Sequence, residues 1–500
     1  MLETVDLAAH LTKAEFRKAQ EKLDLQLAQL QRDLRGPGIP VLVVFEGWDA
    51  AGKGSVLSRL LQAFDPRGFK VHNIAPPTEE ERFRPPMWRF WNALPPHRAI
   101  GIYNHSWYCQ VLDERVEDKL SAPQCQAAYE RIRVFEHQLV DDGAIIVKFF
   151  LHISQKEQAK RFKKLSKDPA FAWKVGKAER RRHKRYDEYY AAAEDMLRET
   201  STHYAPWTLV PATDERFAKV KVAETLAAAF ENALDRRPAR APKARKASPR
   251  RTSPLNQADL GLSLSPEEYG KVLPELQEEV CRLQHLCFVR RTPVVIVYEG
   301  WDAGGKGGNI RRVTREMDPR GYEVVPISAP VGEEQKHHYL WRFWRALPKA
   351  GHFTIFDRSW YGRVMVERVE GFAKPDEWAR AYREINEFEA QLVEYGTVVV
   401  KFWLHVSKEE QLKRFKARQD IAYKRWKITD EDWRNRKRWD DYWLAVSDMI
   451  ERTSTAHAPW TVVEANDKRY ARVKALKVIV ENLTAAVDDK GKGSGKAKGK

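Results

Sequence analysis

One stretch occurs twice in this chain and limits what it can fold into. Residues 294–308 read Val-Val-Ile-Val-Tyr-Glu-Gly-Trp-Asp-Ala-Gly-Gly-Lys-Gly-Gly, and residues 42–54 read Leu-Val-Val-Phe-Glu-Gly-Trp-Asp-Ala-Ala-Gly-Lys-Gly. In the second copy the β-branched run Val294 to Tyr298 predicts a buried strand. It breaks at Gly300 into a glycine-rich turn closing on Gly305-Lys306, the P-loop spacing of a glycine, four residues and Gly-Lys. Such glycines let backbone N–H groups converge on phosphate oxygens, and the helix N-terminus that follows adds positive partial charge. Lys306 is then a mobile cation for a phosphoryl group, with Lys53 its counterpart in the first copy. Gly307 follows Lys306 where nucleotide-binding P-loops carry a Ser or Thr that ligates Mg²⁺, so Asp302 inside the loop is the candidate replacement ligand.

The duplication extends well beyond the loop. Lys53 and Lys306 are 253 positions apart, and the same offset relates Trp88-Arg89-Phe90-Trp91 to Trp341-Arg342-Phe343-Trp344, Ser106-Trp107-Tyr108 to Ser359-Trp360-Tyr361, and Pro206-Trp207 to Pro459-Trp460. A period this long is a duplicated domain rather than a solenoid repeat, and each copy is long enough to bury an α/β core. The expected division is a first domain at 1–235, a basic flexible linker at 236–260, a second domain at 261–488 and a disordered Lys/Gly tail at 489–500. The duplication builds a pseudo-dimer into one chain and leaves any further oligomerisation open.

Charge supports that division. Residues 236–251 hold eight Lys or Arg and no acid, and residues 490–500 hold five Lys and no acid, so thirteen of the +17 net charge lies there. Such Pro/Ala- or Gly-rich compositions do not pack a core. They are read first as solvated segments, with anionic-polymer contact as the alternative, and nucleic acid is not an expected partner. No run of about 18 apolar residues predicts a membrane span. The N-terminus lacks a signal-peptide pattern, and Cys109, Cys125, Cys281 and Cys287 form no framework, so a cytoplasmic protein is expected.

Within the second copy, helices are expected at 261–288 and 307–317, strands at 322–327, 353–356, 397–404 and 460–463, and a basic helical region at 408–440. The first copy has its leading helix at 8–34. Strands alternating with helices imply parallel βαβ units, with ligands at the carboxyl ends of the strands. Asp357-Arg358 ends the strand at 353–356, the third of the copy counting the P-loop strand, a Walker-B-like position for Mg²⁺. Asp302, Lys306, Asp357 and Arg358 are therefore the candidate catalytic residues, with Asp302 and Asp357 as the metal ligands. Gly300, Gly305, Gly307, Arg311, Arg363, Lys413 and Arg414 are candidate phosphate contacts. Transfer of this kind needs in-line positioning and charge neutralisation more than covalent chemistry. The adjacent His337 and His338 are read as a solvated pair.

The halves differ where it matters for a metal. Asp357-Arg358 corresponds to Asn104-His105, and asparagine lacks the charge that Mg²⁺ needs. The second half is expected to be catalytic and the first impaired, although Asp49 and Lys53 keep its loop intact.

Gly300-Trp-Asp-Ala-Gly-Gly-Lys306-Gly307 together with Asp357-Arg-Ser-Trp-Tyr361 resembles the polyphosphate kinase 2 family, in both copies. The tandem arrangement is similar to the fused members of that family, which make ADP from AMP and inorganic polyphosphate. The resemblance implies two thymidylate-kinase-like P-loop domains, each a parallel sheet flanked by helices with a helical lid, and Mg²⁺ as cofactor. It carries roles over to Asp302, Lys306, Asp357 and Arg358, and lid cations to 408–427, including Lys424, Arg425 and Lys427. Gly362 stands where the family pattern often has Asn, so no role is carried to it. A polyphosphate chain would be tracked by repeated cations, with affinity falling as salt rises. Two alternatives stay open: an ATP-dependent nucleoside monophosphate kinase, and a module that binds a polyanion or nucleic acid without turnover.

Overall fold

Val41–Gly47 (β1) is buried at every position but the last, which is why its sequence is apolar from Val41 to Phe45 rather than alternating. Around it stand Phe69–Asn73 (β2), Ile100–Asn104 (β3), Ile145–His152 (β4) and Trp207–Pro211 (β5). The order is β2-β3-β1-β4-β5, and every pairing is parallel. The second half repeats it with Val294–Gly300 (β6), Tyr322–Pro326 (β7), Phe353–Asp357 (β8), Val398–His405 (β9) and Trp460–Glu464 (β10), in the parallel order β7-β8-β6-β9-β10. The P-loop strand is central in each sheet, so both of its faces need cover. The helix pairs Lys13–Asp33 with Glu215–Asp235, and Pro266–Val289 with Lys468–Ser494, pack together and supply part of it.

This computed structural model describes residues 1–235, 253–420 and 430–494, the last six as backbone only. The 236–252 part of the expected linker, the expected lid cations Lys424, Arg425 and Lys427, and the end of the tail lie outside the described residues. Two compact units result, the first holding β1 to β5 and the second β6 to β10. The first unit also takes in Gly332–His338 and the second Thr78–Trp88.

Several boundaries move for local reasons. The leading helices start at Lys13 and Pro266, later than expected, because Thr12 with Glu15 and Ser265 with Glu268 form capping boxes there. The segment expected to be a flexible linker is ordered from Ser253 on. Leu255 is buried, and the Ser253 hydroxyl lies 2.6 Å from that of Ser447. The last helix runs past residue 488, with Ile479, Leu483 and Val487 keeping its apolar stripe up to that point. His338 is buried, so His337-His338 is not a solvated pair. Among the described residues no helix is long and apolar enough to cross a membrane.

One polar network is buried in each unit. Lys401 Nζ donates to Glu389 Oε2 at 2.7 Å, to the Tyr361 hydroxyl at 2.9 Å and to Thr453 O at 2.8 Å. The other Glu389 oxygen accepts from Tyr361 at 2.6 Å and Trp360 at 3.1 Å. Lys148, Glu136, Tyr108, Trp107 and Thr200 repeat it in the first unit. The network ties the middle of β9 to the turn after β8, the turn that carries the candidate catalytic arginine.

Candidate functional site

The second P-loop leaves β6 beside the backbone of β9. Gly300 has φ +152°, and a Cβ there would sit 2.7 Å from Leu404 O, so the approach requires glycine. Gly305, at φ +111°, caps the helix Lys306–Val313 in the left-handed region. These residues place the first backbone N–H groups of that helix beside the loop, the arrangement that binds phosphate. Lys306 Nζ donates to Gly300 O at 2.9 Å, folding back across the loop. Gly307 is exposed, and a Cβ there would meet nothing within 4 Å.

Asp357 ends β8 opposite Tyr298 of β6 in the parallel register. The chain then turns through Arg358, at the uncommon φ of +67°, with its N–H donating to Tyr298 O at 3.0 Å. A non-glycine residue in that region is strained, and here the strain aims the guanidinium at the loop. Arg358 Nη2 donates to Asp302 Oδ1 at 3.3 Å, while Asn435 Nδ2 donates to Asp302 Oδ2 at 3.0 Å. Asp302, Lys306, Asp357 and Arg358 line one open cleft of about 550 Å³, joined by Glu431 and Asp432. That is within the usual size of small-ligand sites, about 300–1,000 Å³.

The charges in the cleft are tuned by burial. It pulls the Lys306 ammonium below its ordinary value, and the neighbouring Arg358 adds to this against Asp302, Asp357 and Glu299. Burial likewise raises the Glu299 carboxyl, opposed by Lys306, the Ser359 hydroxyl bond and Arg358. For Arg358, burial is outweighed by Asp302, Glu299, Glu431 and Asp357, and its pKa is raised. Asp302 and Asp357 on one cleft are hard oxygen donors suited to a divalent cation. Among the described residues no cluster of three His, Cys, Asp or Glu could hold a metal. Two protein carboxylates leave a hard divalent cation to complete its shell from water and phosphate.

The other expected phosphate contacts have different surroundings. Arg414 is buried and committed to backbone: Nη1 donates to Ala303 O and Gly304 O at 3.0 Å each, Nη2 to Ala465 O at 2.5 Å and Asn466 O at 3.0 Å. Its Nε pairs with Glu410 at 2.7 Å, so it braces the loop from behind instead of facing the phosphates. Arg363 pairs with Glu367 at 3.1 Å and covers the Tyr339 ring, away from the cleft lining. Lys413 and Arg311 are exposed and do not line the cleft.

In the first unit the same scaffold is differently occupied. Arg182 stands at the position of Asn435 and clamps Asp49, with Nε–Oδ2 2.6 Å and Nη2–Oδ1 3.2 Å. Burial alone would raise Asp49, but the Arg182 hydrogen bond and the Lys53 and Arg182 charges hold it below the ordinary range. Lys53 Nζ donates to Gly47 O at 2.5 Å and Trp48 O at 3.0 Å. His105 Nδ1 lies 3.3 Å from Glu46 Oε2 rather than against Asp49.

Sequence reasoning missed Glu299, Asn435 and Arg182. Glu299 and Glu46 are acids inside otherwise apolar strands, in both copies, which marks a buried partner. Applying the 253-residue offset to the basic region would have set Arg182 against Asn435.

The central parallel strand, the glycine turn with its lysine and the acid at the end of the adjacent strand define a P-loop protein that handles phosphoryl groups. The polyphosphate kinase 2 family profile matches residues 10–238 and 263–491. The chain belongs to that family. It is 44% identical to the polyphosphate:AMP phosphotransferase of Pseudomonas aeruginosa, over 97% of this chain and 99% of the relative. It is 34% identical to the protein of the same name from Acinetobacter johnsonii, over 94% and 97%. A solved structure described as a polyphosphate kinase 2 of Pseudomonas aeruginosa superposes with a TM-score of 0.86 at 42% identity, covering 98% of this chain and all of that one.

Proposed function

We propose that this chain transfers a phosphoryl group from inorganic polyphosphate to AMP, giving ADP, and that the second unit does the chemistry. One observation carries the assignment to that unit: Asp302, Lys306, Asp357 and Arg358 share a cleft, whereas in the first unit Asp49 is clamped by Arg182 and Asn104 replaces the second acid. The full-length match to relatives named for this reaction supports the substrates. Lys306 and the N–H groups of its helix hold the transferring phosphoryl group, and Arg358 neutralises charge that develops on it. Asp302 is kept in place by Arg358 and Asn435. Asp302 and Asp357 would hold Mg²⁺, which when bound supplies charge neutralisation and alignment of the oxygens. Gly307, in place of the usual hydroxyl residue, favours a donor other than Mg-ATP.

The deciding experiment compares donors. Purified protein with AMP and polyphosphate forms ADP; ADP formed with ATP but not with polyphosphate would overturn the donor assignment. Two substitutions test the choice of unit. Asp357→Asn, which installs the first unit's residue, lowers kcat by about 10²–10³-fold, the usual loss of a transition-state charge partner. Asn435→Arg, which reproduces the clamp on Asp49, lowers it by about 10–100-fold by drawing Asp302 out of position. Asp49→Asn leaves ADP formation near wild type. The reverse pattern, loss with Asp49→Asn and none with Asp357→Asn, moves the chemistry to the first unit.

A further inference from the structure

Asp302 is held by Asn435, and Asn435 is itself held by residues that do not line the cleft. The Tyr442 hydroxyl lies 3.2 Å from Asn435 Oδ1 and 3.3 Å from Glu370 Oε1. Its single hydrogen stands between two acceptors and so draws them together. Glu370 is largely buried and also pairs with Arg434 at 3.3 Å and Arg438 at 3.4 Å, which flank Asn435 in the chain. Three elements meet at this point. Glu370 follows the helix Val366–Val369, Arg434 and Asn435 lie on the helix Asp430–Lys437, and Tyr442 lies on the helix Trp439–Thr453. Burial, then the Glu370 and Asp302 charges, raise the Tyr442 pKa against Arg438, so the hydroxyl keeps its proton and remains a donor.

An asparagine amide has a donor end and an acceptor end, and only the donor end suits a carboxylate. Oδ1 turned toward Asp302 would repel it. By donating to Oδ1, Tyr442 selects the rotation that presents Nδ2 to Asp302 Oδ2, at 3.0 Å. The first unit keeps the tyrosine and the acid but employs them differently. Tyr189 stands for Tyr442, and its hydroxyl donates at 3.2 Å to Asp113, an acid that replaces the apolar Val366. Glu117 stands for Glu370 and pairs with Arg181 and Lys119, while Arg185 pairs with Glu188 and Asp118. No amide needs orienting there, because Arg182 presents only donors to Asp49. The hydroxyl therefore reaches the loop's partner where that partner is an amide, and is diverted where it is a guanidinium.

We infer that Tyr442, anchored by Glu370, is a positioning residue for Asp302 and acts by fixing the orientation of the Asn435 amide. The inference rests on the proposed role of the second unit in the transfer.

The test uses the full chain with Tyr442→Phe, which keeps the ring and removes the donor, with Glu370→Gln, with Asn435→Ala and with the double Tyr442→Phe/Asn435→Ala. ADP formation is measured with AMP and polyphosphate each varied. Asn435→Ala and Tyr442→Phe each lower kcat by about tenfold and Glu370→Gln by about threefold, the scale of a slightly misplaced group, while KM for both substrates moves less than about twofold. The double variant is no slower than Asn435→Ala, because the hydroxyl has no amide left to orient, whereas independent losses would multiply. Tyr189→Phe, the same change in the first unit, leaves kcat within about twofold of wild type. A wild-type kcat in Tyr442→Phe or Glu370→Gln, losses that multiply in the double, or an effect carried by KM instead of kcat overturns the assignment. If wild type forms no ADP from AMP and polyphosphate the functional reading falls, and Mn²⁺ titration of the substrate-free protein then decides. Binding weakened about tenfold by Tyr442→Phe upholds the positioning role, and unchanged binding overturns it.

Discussion

Lys306→Ala lowers kcat/KM for ADP formation from AMP and polyphosphate by about 10³-fold or more, while Lys53→Ala leaves it within about threefold. The two lysines follow nearly the same loop sequence and have the same place at the head of a helix, so the loop motif does not separate them. Their partners do. Lys306 faces a cleft with Asp302, Asp357 and Arg358, where on the proposed reaction its charge would meet the moving phosphoryl group. Lys53 is hydrogen-bonded to two carbonyls of its own loop, beside an acid closed off by Arg182. Steady-state kinetics with both substrates varied is the check. Thermal unfolding should be little changed by Lys306→Ala, because its described hydrogen bond is a single one, to Gly300 O. Equal losses from the two lysines would mean that both P-loops turn over.

The second large effect is on stability. Glu389→Ala destabilises the second unit by about 3–5 kcal/mol, the range for removing one partner of a buried ion pair. Lys401 and Glu389 are both fully buried, and Lys401 would keep only the Tyr361 hydroxyl and Thr453 O as partners. Burial already pulls the Lys401 ammonium down, and the Glu389 charge and hydrogen bond are what oppose it. Replacing both, as Lys401→Met/Glu389→Leu, recovers most of the loss because no uncompensated charge remains. Urea titration reads this as a shift of one transition, since two units need not unfold together. A loss under about 1 kcal/mol for Glu389→Ala would show that water or a repacked partner satisfies Lys401. Activity should fall with stability here, as Trp360 and Tyr361 immediately follow the Arg358 turn.

How much was legible follows from how local each feature is. The strand Val294–Gly300, the left-handed glycine and the lysine are contiguous, so spacing alone announces them. The positions of the remaining strands along the chain follow from alternation with helices and were readable to within a few residues, whereas their order in the sheet was not. The tasks of the basic residues were not. Arg414, Arg363 and Lys413 look alike as charges in a sequence, yet one braces loop carbonyls more than 100 positions away, one pairs with Glu367 and one faces solvent. Charge type says what a side chain can bind; only packing says what has already bound it.

By itself, then, the amino-acid order determined the duplication, the two P-loops and the loss of the Asp357 acid at Asn104, because these are matters of spacing and residue identity along one strand-turn-helix unit. Tertiary structure alone decided that Arg182 closes Asp49 while Asn435 leaves Asp302 reachable. Each of those pairs spans 133 positions, and a contact of that length exists only once the sheet has brought the basic helix over the loop.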